Sequence, residues 1–229
     1  MKRVVATLKA LVPAKVIQSR LHKRVFAQFA NKYGLVYFGY VDQRSDEHRL
    51  VRGLTVSGTY RDNHYCIGSF NEYDITLVER SDTLHFPGKP SKNHTWIIMA
   101  FDLRSSMDLP HLFLGLHSHG DIFYSHLFTK FSHLTKVPLS TYGVYDAEFL
   151  HRYALYSSPS QFEAAQQFIN PEMAKIISEH FGNLTFEIID NCLYVYTEHQ
   201  HPTLQVLEKM LKNGVWLAQT IDKPLNTEA

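Results

Sequence analysis

The chain has 229 residues, 45% of them hydrophobic and 20% charged, with two cysteines and a formal net charge of +1. That length and balance are enough to bury a core, and they exclude general disorder and a disulfide scaffold. No apolar stretch approaches the roughly 18 to 20 residues that cross a bilayer; the best candidate core runs, "WIIMAF" and "LFLGL", are far shorter. A soluble cytoplasmic protein is therefore expected.

The near-neutral total hides an asymmetry. Residues 1–24 hold seven lysines or arginines (Lys2, Arg3, Lys9, Lys15, Arg20, Lys23 and Arg24) and no acid; subtracting that +7 from the total of +1 leaves −6 for the remainder. The opening "MKRVVATLKALVPA" mimics a signal peptide, but Lys9 and Pro13 interrupt what would have to be an unbroken apolar stretch. Val4, Val5, Leu8, Leu11 and Val12, then Ile17, Leu21, Val25, Phe29 and Tyr33, recur at helical spacing. They predict a basic amphipathic helix over 1–33, kinked or restarted at Pro13 and closed by Gly34. Such a segment either packs its apolar row on its own sheet or meets an anionic membrane surface or a protein partner.

From Leu35 the periodicity turns extended. "LVYFGYV", "RLVRGLTVSGTY", "HYCIGSF", "YDITLVER" and "HTWIIMAFDLR" are rich in β-branched and aromatic residues and predict an antiparallel meander running to about Leu116. "SDTLHFPGKPSKN" is its long turn. Cys66 and Cys192 each fall inside a predicted strand and lack CxxC spacing, so buried, reduced thiols are expected. A central helix is predicted over Asp121–Leu134, with Asp121 capping its first amides.

A second compositional unit starts near Tyr145. "FLHRYALYS" reads as a strand, Ser158-Pro159-Ser160-Gln161 as a capping box, and Asn170-Pro171-Glu172 as a helix start. Gly182 closes that helix, a hairpin turns at Asp190-Asn191, and a last helix from Pro202 to about Ala218 buries Leu204, Leu207, Leu211 and Val215. Asn213-Gly214 is expected to break or soften it. The predicted class is α+β: residues 1–33 a basic helix, 34–144 an antiparallel sheet with the central helix, 145–222 a smaller strand-helix-helix-hairpin-helix unit packed on it, and 223–229 a tail.

The stretch "RYALYSSPSQFEAAQQFINPEMAKIISEHFGNLTFEIIDNCLYVYTE", residues 152–198, resembles the C-terminal part of a bacterial family catalogued only as a domain of unknown function. That family places membrane-spanning helices ahead of a soluble α+β region and carries an "FxGLF"-like strand, whose counterpart here is "LFLGLHS". The resemblance implies an α+β fold and no catalytic residues. In this chain the basic N-terminal helix stands where the membrane helices would be.

The one constellation suggesting chemistry is His117-Ser118-His119-Gly120-Asp121. It resembles the first metal-binding motif of the metallo-β-lactamase family, H-x-H-x-D-H, which implies zinc and hydrolysis by a metal-bound water. Ile122 occupies the final histidine position, and later ligands would have to come from His151, His180, His199 or His201. His133-Leu134-Thr135 and His201-Pro202-Thr203 similarly resemble the paired H-x-T motifs of two-histidine phosphoesterases. Neither a G-x-S-x-G elbow nor a phosphate-binding glycine loop is present. "GTYRDNHY" and "KFSHLTK" are too short, on a body without net positive charge, to make a nucleic-acid surface. The preferred reading is a non-enzymatic binding or scaffolding module meeting a membrane surface or a protein partner through residues 1–33. The alternative is a metal-dependent hydrolase using His117, His119 and Asp121, with zinc as its cofactor.

Overall fold

The computed structural model describes residues 14–41, 51, 61–84, 92–105, 108–128, 131–141, 143–198 and 201–223. The expected kink at Pro13, most of "RLVRGLTVSGTY", the centre of the long turn and the end of the tail lie outside these residues.

Helix α1 (Ala14–Tyr33) leads into strands β1 (Val36–Tyr40), β2 (Arg61–Phe70), β3 (Tyr73–Leu84), β4 (Lys92–Asp102) and β5 (Leu112–Leu116). Helix α2 (Gly120–Leu127), the short strand β6 (Thr135–Lys136), helix α3 (Ala147–Arg152) and strand β7 (Tyr153–Ser157) follow. Helices α4 (Phe162–Phe168) and α5 (Pro171–His180), the hairpin β8 (Thr185–Ile189) and β9 (Cys192–Thr197), and helix α6 (Leu204–Asp222) complete the chain. The class is α+β, with every strand pair antiparallel in one nine-stranded sheet of order β1-β2-β3-β4-β9-β8-β5-β7-β6.

That order corrects the expected simple meander. β4 pairs with β9, not β5, and the β8–β9 hairpin sits between them. The strands from beyond Tyr145 are thus inserted in the same sheet rather than packed on it. Both faces of the sheet are covered, which is why "WIIMAF" is apolar without alternation: Trp96, Ile97, Ile98, Met99, Ala100 and Phe101 are all buried. Odd-numbered residues of β3 and β4 face α1, α5 and α6 with Phe26, Ile177 and Leu211. Even-numbered ones face α2 with Tyr124, Leu127 and Phe128.

Several local expectations hold. Gly34, at φ +71°, follows the last residue of α1. The Asn170 side chain accepts from Met173 N at 2.9 Å and starts α5, and Asp190 and Asn191 both take positive φ in the hairpin turn. Cys66 and Cys192 are free and buried in strands, and burial pushes each thiol up to about 12.

Others need correction. The face α1 buries is His22, Phe26, Phe29 and Ala30, while Leu21 of the expected row is 57% exposed. A strict i+4 row drifts by about 40° per step around a helix of 3.6 residues per turn, so it cannot stay on one face over four steps. The central helix ends at Leu127 instead of running to Leu134, because Thr135 and Lys136 are drawn into pairing with β7. "FLHR" is helical, started by Asp146, whose carboxylate accepts from Phe149 N at 3.2 Å. Ser158 forms no capping box; its hydroxyl lies 3.0 Å from that of Ser160 and a short 3-10 turn follows. Helix α6 runs unbroken through Asn213-Gly214. There the Asn213 amide donates to His180 O at 3.2 Å, and Gly214 lies directly against the Phe101 ring.

Candidate functional site

The tightest cluster of potential ligands sits where α1 crosses β2 and β3. His22 lies on the buried face of α1, one turn before Phe26, and its Nδ1 is 2.6 Å from Glu79 Oε2 on β3. Glu79 pairs with Asn63 of β2, and the next registered pair is Leu77 with Cys66. The extra residue on β2 makes a β-bulge, with His64 at φ +59°. The bulge turns His64 toward α1, where its ring lies 5.2 Å from Phe26 and 6.3 Å from His22, and its Nδ1 meets Tyr37 Oη at 2.9 Å. One ligand atom from each of His22, His64 and Glu79 lies within 4.8 Å of the others, and all three residues are buried. No other group of three such residues meets that condition among the described residues.

The electrostatics of this cluster follow from burial. Desolvation, helped by the charges of His22 and Lys23, holds His64 down at about 4. Burial pushes the Glu79 carboxyl up, against the pull of His22. His22 Nε2 is buried with no hydrogen-bond partner among the described residues, a costly state for a polar atom. His201, exposed at the approach to α6, brings its ring to 6.2 Å from that of His22.

The residues singled out from the sequence lie elsewhere and do not converge. His117 and His119 belong to a 3-10 turn after β5; exposed His117 has its Nε2 3.3 Å from the Lys136 ammonium, a neighbour unsuited to a cation ligand. His119 Nε2 is bound to Glu198 Oε1 at 2.9 Å, and its ring stacks on Phe123 at 4.4 Å. Asp121 is exposed in the first turn of α2. The helix begins from His119 and no side chain accepts at its cap, which corrects the expectation that Asp121 caps it. Standing inside the first turn, the Asp121 carboxylate favours the helix dipole but lacks the cap position.

Glu198 gave no signal in the sequence. Its second oxygen lies 3.0 Å from His94 Nε2, outside hydrogen-bond alignment. Burial would raise its carboxyl, but the two imidazoles beside it, His119 and His94, hold it down at about 2. Elsewhere on this face Arg80, 1% exposed, donates to Asp62 through Nε at 2.7 Å and Nη2 at 2.6 Å, and to Val51 O at 3.0 Å. The buried Glu187 takes bonds from Tyr196 Oη at 2.5 Å and His111 Nε2 at 2.9 Å. The two H-x-T histidines part company, His133 lying edge-on to His111 and His201 edge-on to His22, so they share no groove.

No family model and no curated protein matches the chain. A solved structure, the mycobacterial trehalose monomycolate transport factor A, TtfA, aligns with a TM-score of 0.60 over 86% of this chain and 92% of its own, at 11% identity. At that identity the likeness is one of fold. Among the described residues no helix is long and apolar enough to cross a membrane.

Proposed function

We propose that the protein is a non-enzymatic accessory module that meets an anionic membrane surface through its N-terminal basic segment, as a peripheral protein of the cytoplasmic face. The observation that carries this reading is the division of α1. Its inner face, His22, Phe26, Phe29 and Ala30, is spent on the sheet, while Arg20, Leu21, Lys23 and Arg24 are exposed. The exposed basic face continues a segment without a single acid through residue 24. Contact with a surface would therefore be electrostatic, with Leu21 as its one large apolar contribution from this turn. A fold shared with a protein named as a transport factor suits an accessory role. So does the resemblance of residues 152–198 to a family with membrane helices ahead of its soluble region.

Each lysine or arginine near an anionic leaflet contributes about 1 kcal/mol. The triple charge reversal Arg20→Glu/Lys23→Glu/Arg24→Glu should therefore weaken partitioning by roughly 100-fold or more. Vesicle co-sedimentation tests this: the full chain should pellet with anionic vesicles at low salt, not with neutral ones, and the variant should stay in solution. Equal partitioning of the two proteins would end the reading.

A further inference from the structure

We propose that His22, His64 and Glu79 form a binding site for a divalent transition cation of the zinc class, which clamps α1 to strands β2 and β3. Three separate elements deliver one ligand each, α1 the first histidine, the bulge in β2 the second, and β3 the carboxylate. Their ligand atoms stand within 4.8 Å of one another. A cation bound 2.0 to 2.2 Å from each nitrogen or oxygen needs only small side-chain adjustments to sit among them.

Two features are hard to explain by packing alone. First, His22 turns one nitrogen to Glu79 and leaves the other buried without a partner among the described residues. A buried ring nitrogen without a partner is a costly state that binding of a cation would relieve. The Tyr37 hydroxyl holds His64 at Nδ1, the outer-partner arrangement usual for a ligating histidine. Second, the left-handed φ of His64 is a strained choice for a non-glycine residue. It lies within the bulge of β2, on the α1-facing side that His64 shares with Cys66 two residues on.

Two imidazoles and a carboxylate select a borderline cation over the hard magnesium or calcium ions, which take oxygen ligands. Exposed His201, its ring 6.2 Å from that of His22, is a further imidazole beside the three. The site is distinct from the His117, His119 and Asp121 string, and it holds independently of whether the protein meets a membrane.

The test is titration of chelator-treated full-length protein with zinc, read by calorimetry and by metal content after dialysis, with magnesium as the control cation. One zinc per chain is expected, and none of the magnesium. Glu79→Gln and His64→Ala should each weaken zinc binding by at least 100-fold, and Tyr37→Phe by 10- to 100-fold, as loss of an outer partner does. His117→Ala/His119→Ala should leave it unchanged. Amide exchange within residues 19–33 should slow when zinc is added to the native chain and not when it is added to Glu79→Gln. Circular dichroism identifies variants that keep the fold; should His64→Ala lose it, Glu79→Gln and Tyr37→Phe carry the comparison. Absence of zinc binding at micromolar concentration would overturn the proposal. So would an undiminished zinc affinity in folded Glu79→Gln and Tyr37→Phe, or loss of binding in His117→Ala/His119→Ala.

Discussion

Replacing Gly214 by alanine sets two well-understood effects against each other. In an exposed helix the change stabilises by about 1 kcal/mol, because glycine is the poorer helix former. Here a Cβ built on Gly214 falls well inside 3.0 Å of Cε2 and Cζ of Phe101, and 3.2 Å from its Cδ2. Phe101 is fully buried and its strand is held on both sides, by Ile75 of β3 and Leu193 of β9, so the ring has no room to withdraw. Overpacking of a dense core costs about 1 to 3 kcal/mol, and a blocked ring places this case at the upper end. The expected net loss is about 2 kcal/mol, a fall in Tm of roughly 4 to 8 °C for a chain of this size. Urea and thermal unfolding of Gly214→Ala, Phe101→Leu and the double variant check it: the double should be more stable than the two single losses predict, since the smaller side chain vacates the space the new methyl needs. Stabilisation of Gly214→Ala by about 1 kcal/mol would show that α6 does not lie against β4 as described.

Glu198 gives a pH-dependent counterpart. A carboxyl held at about 2 rather than its usual range contributes roughly 2 to 3 kcal/mol, present above the unfolded value near 4.5 and lost as pH falls through about 2. Glu198→Gln should therefore be less stable than the native chain by that amount at pH 7, with the two denaturation midpoints converging on acidification; a constant gap from pH 7 to pH 2 would refute the pairing with His119 and His94. Arg80→Met leaves the Asp62 carboxylate buried without its guanidinium and should cost about 3 to 5 kcal/mol. Adding Asp62→Asn should recover part of it, and a loss below about 1 kcal/mol in chemical unfolding would contradict the buried pair.

The signals that proved legible in the sequence act over a few residues. Gly34 after an amphipathic run, Asn170-Pro171 before one, and Asp190-Asn191 between two apolar strands each satisfy backbone groups within their own turn, so local chemistry was enough to place them. The cysteines, apolar residues within β-rich runs, were likewise legible as buried. Where two local signals competed, tertiary pairing chose: Thr135 and Lys136 left the helical pattern to pair with β7, and Gly214 stayed helical because Phe101 fills the place of its missing side chain.

The sheet order and both histidine clusters belong to the tertiary structure alone. His22 and Glu79 are 57 positions apart, and they meet only because α1 lies across a sheet whose register, shifted by one bulged residue, sets which side chains face it. Glu198 reaches His94 and His119 only because the β9 hairpin enters beside β4 instead of β5. Side-chain spacing along a chain encodes the face of one element at a time. Which faces then meet depends on strand pairing between distant segments, and no local pattern contains that information.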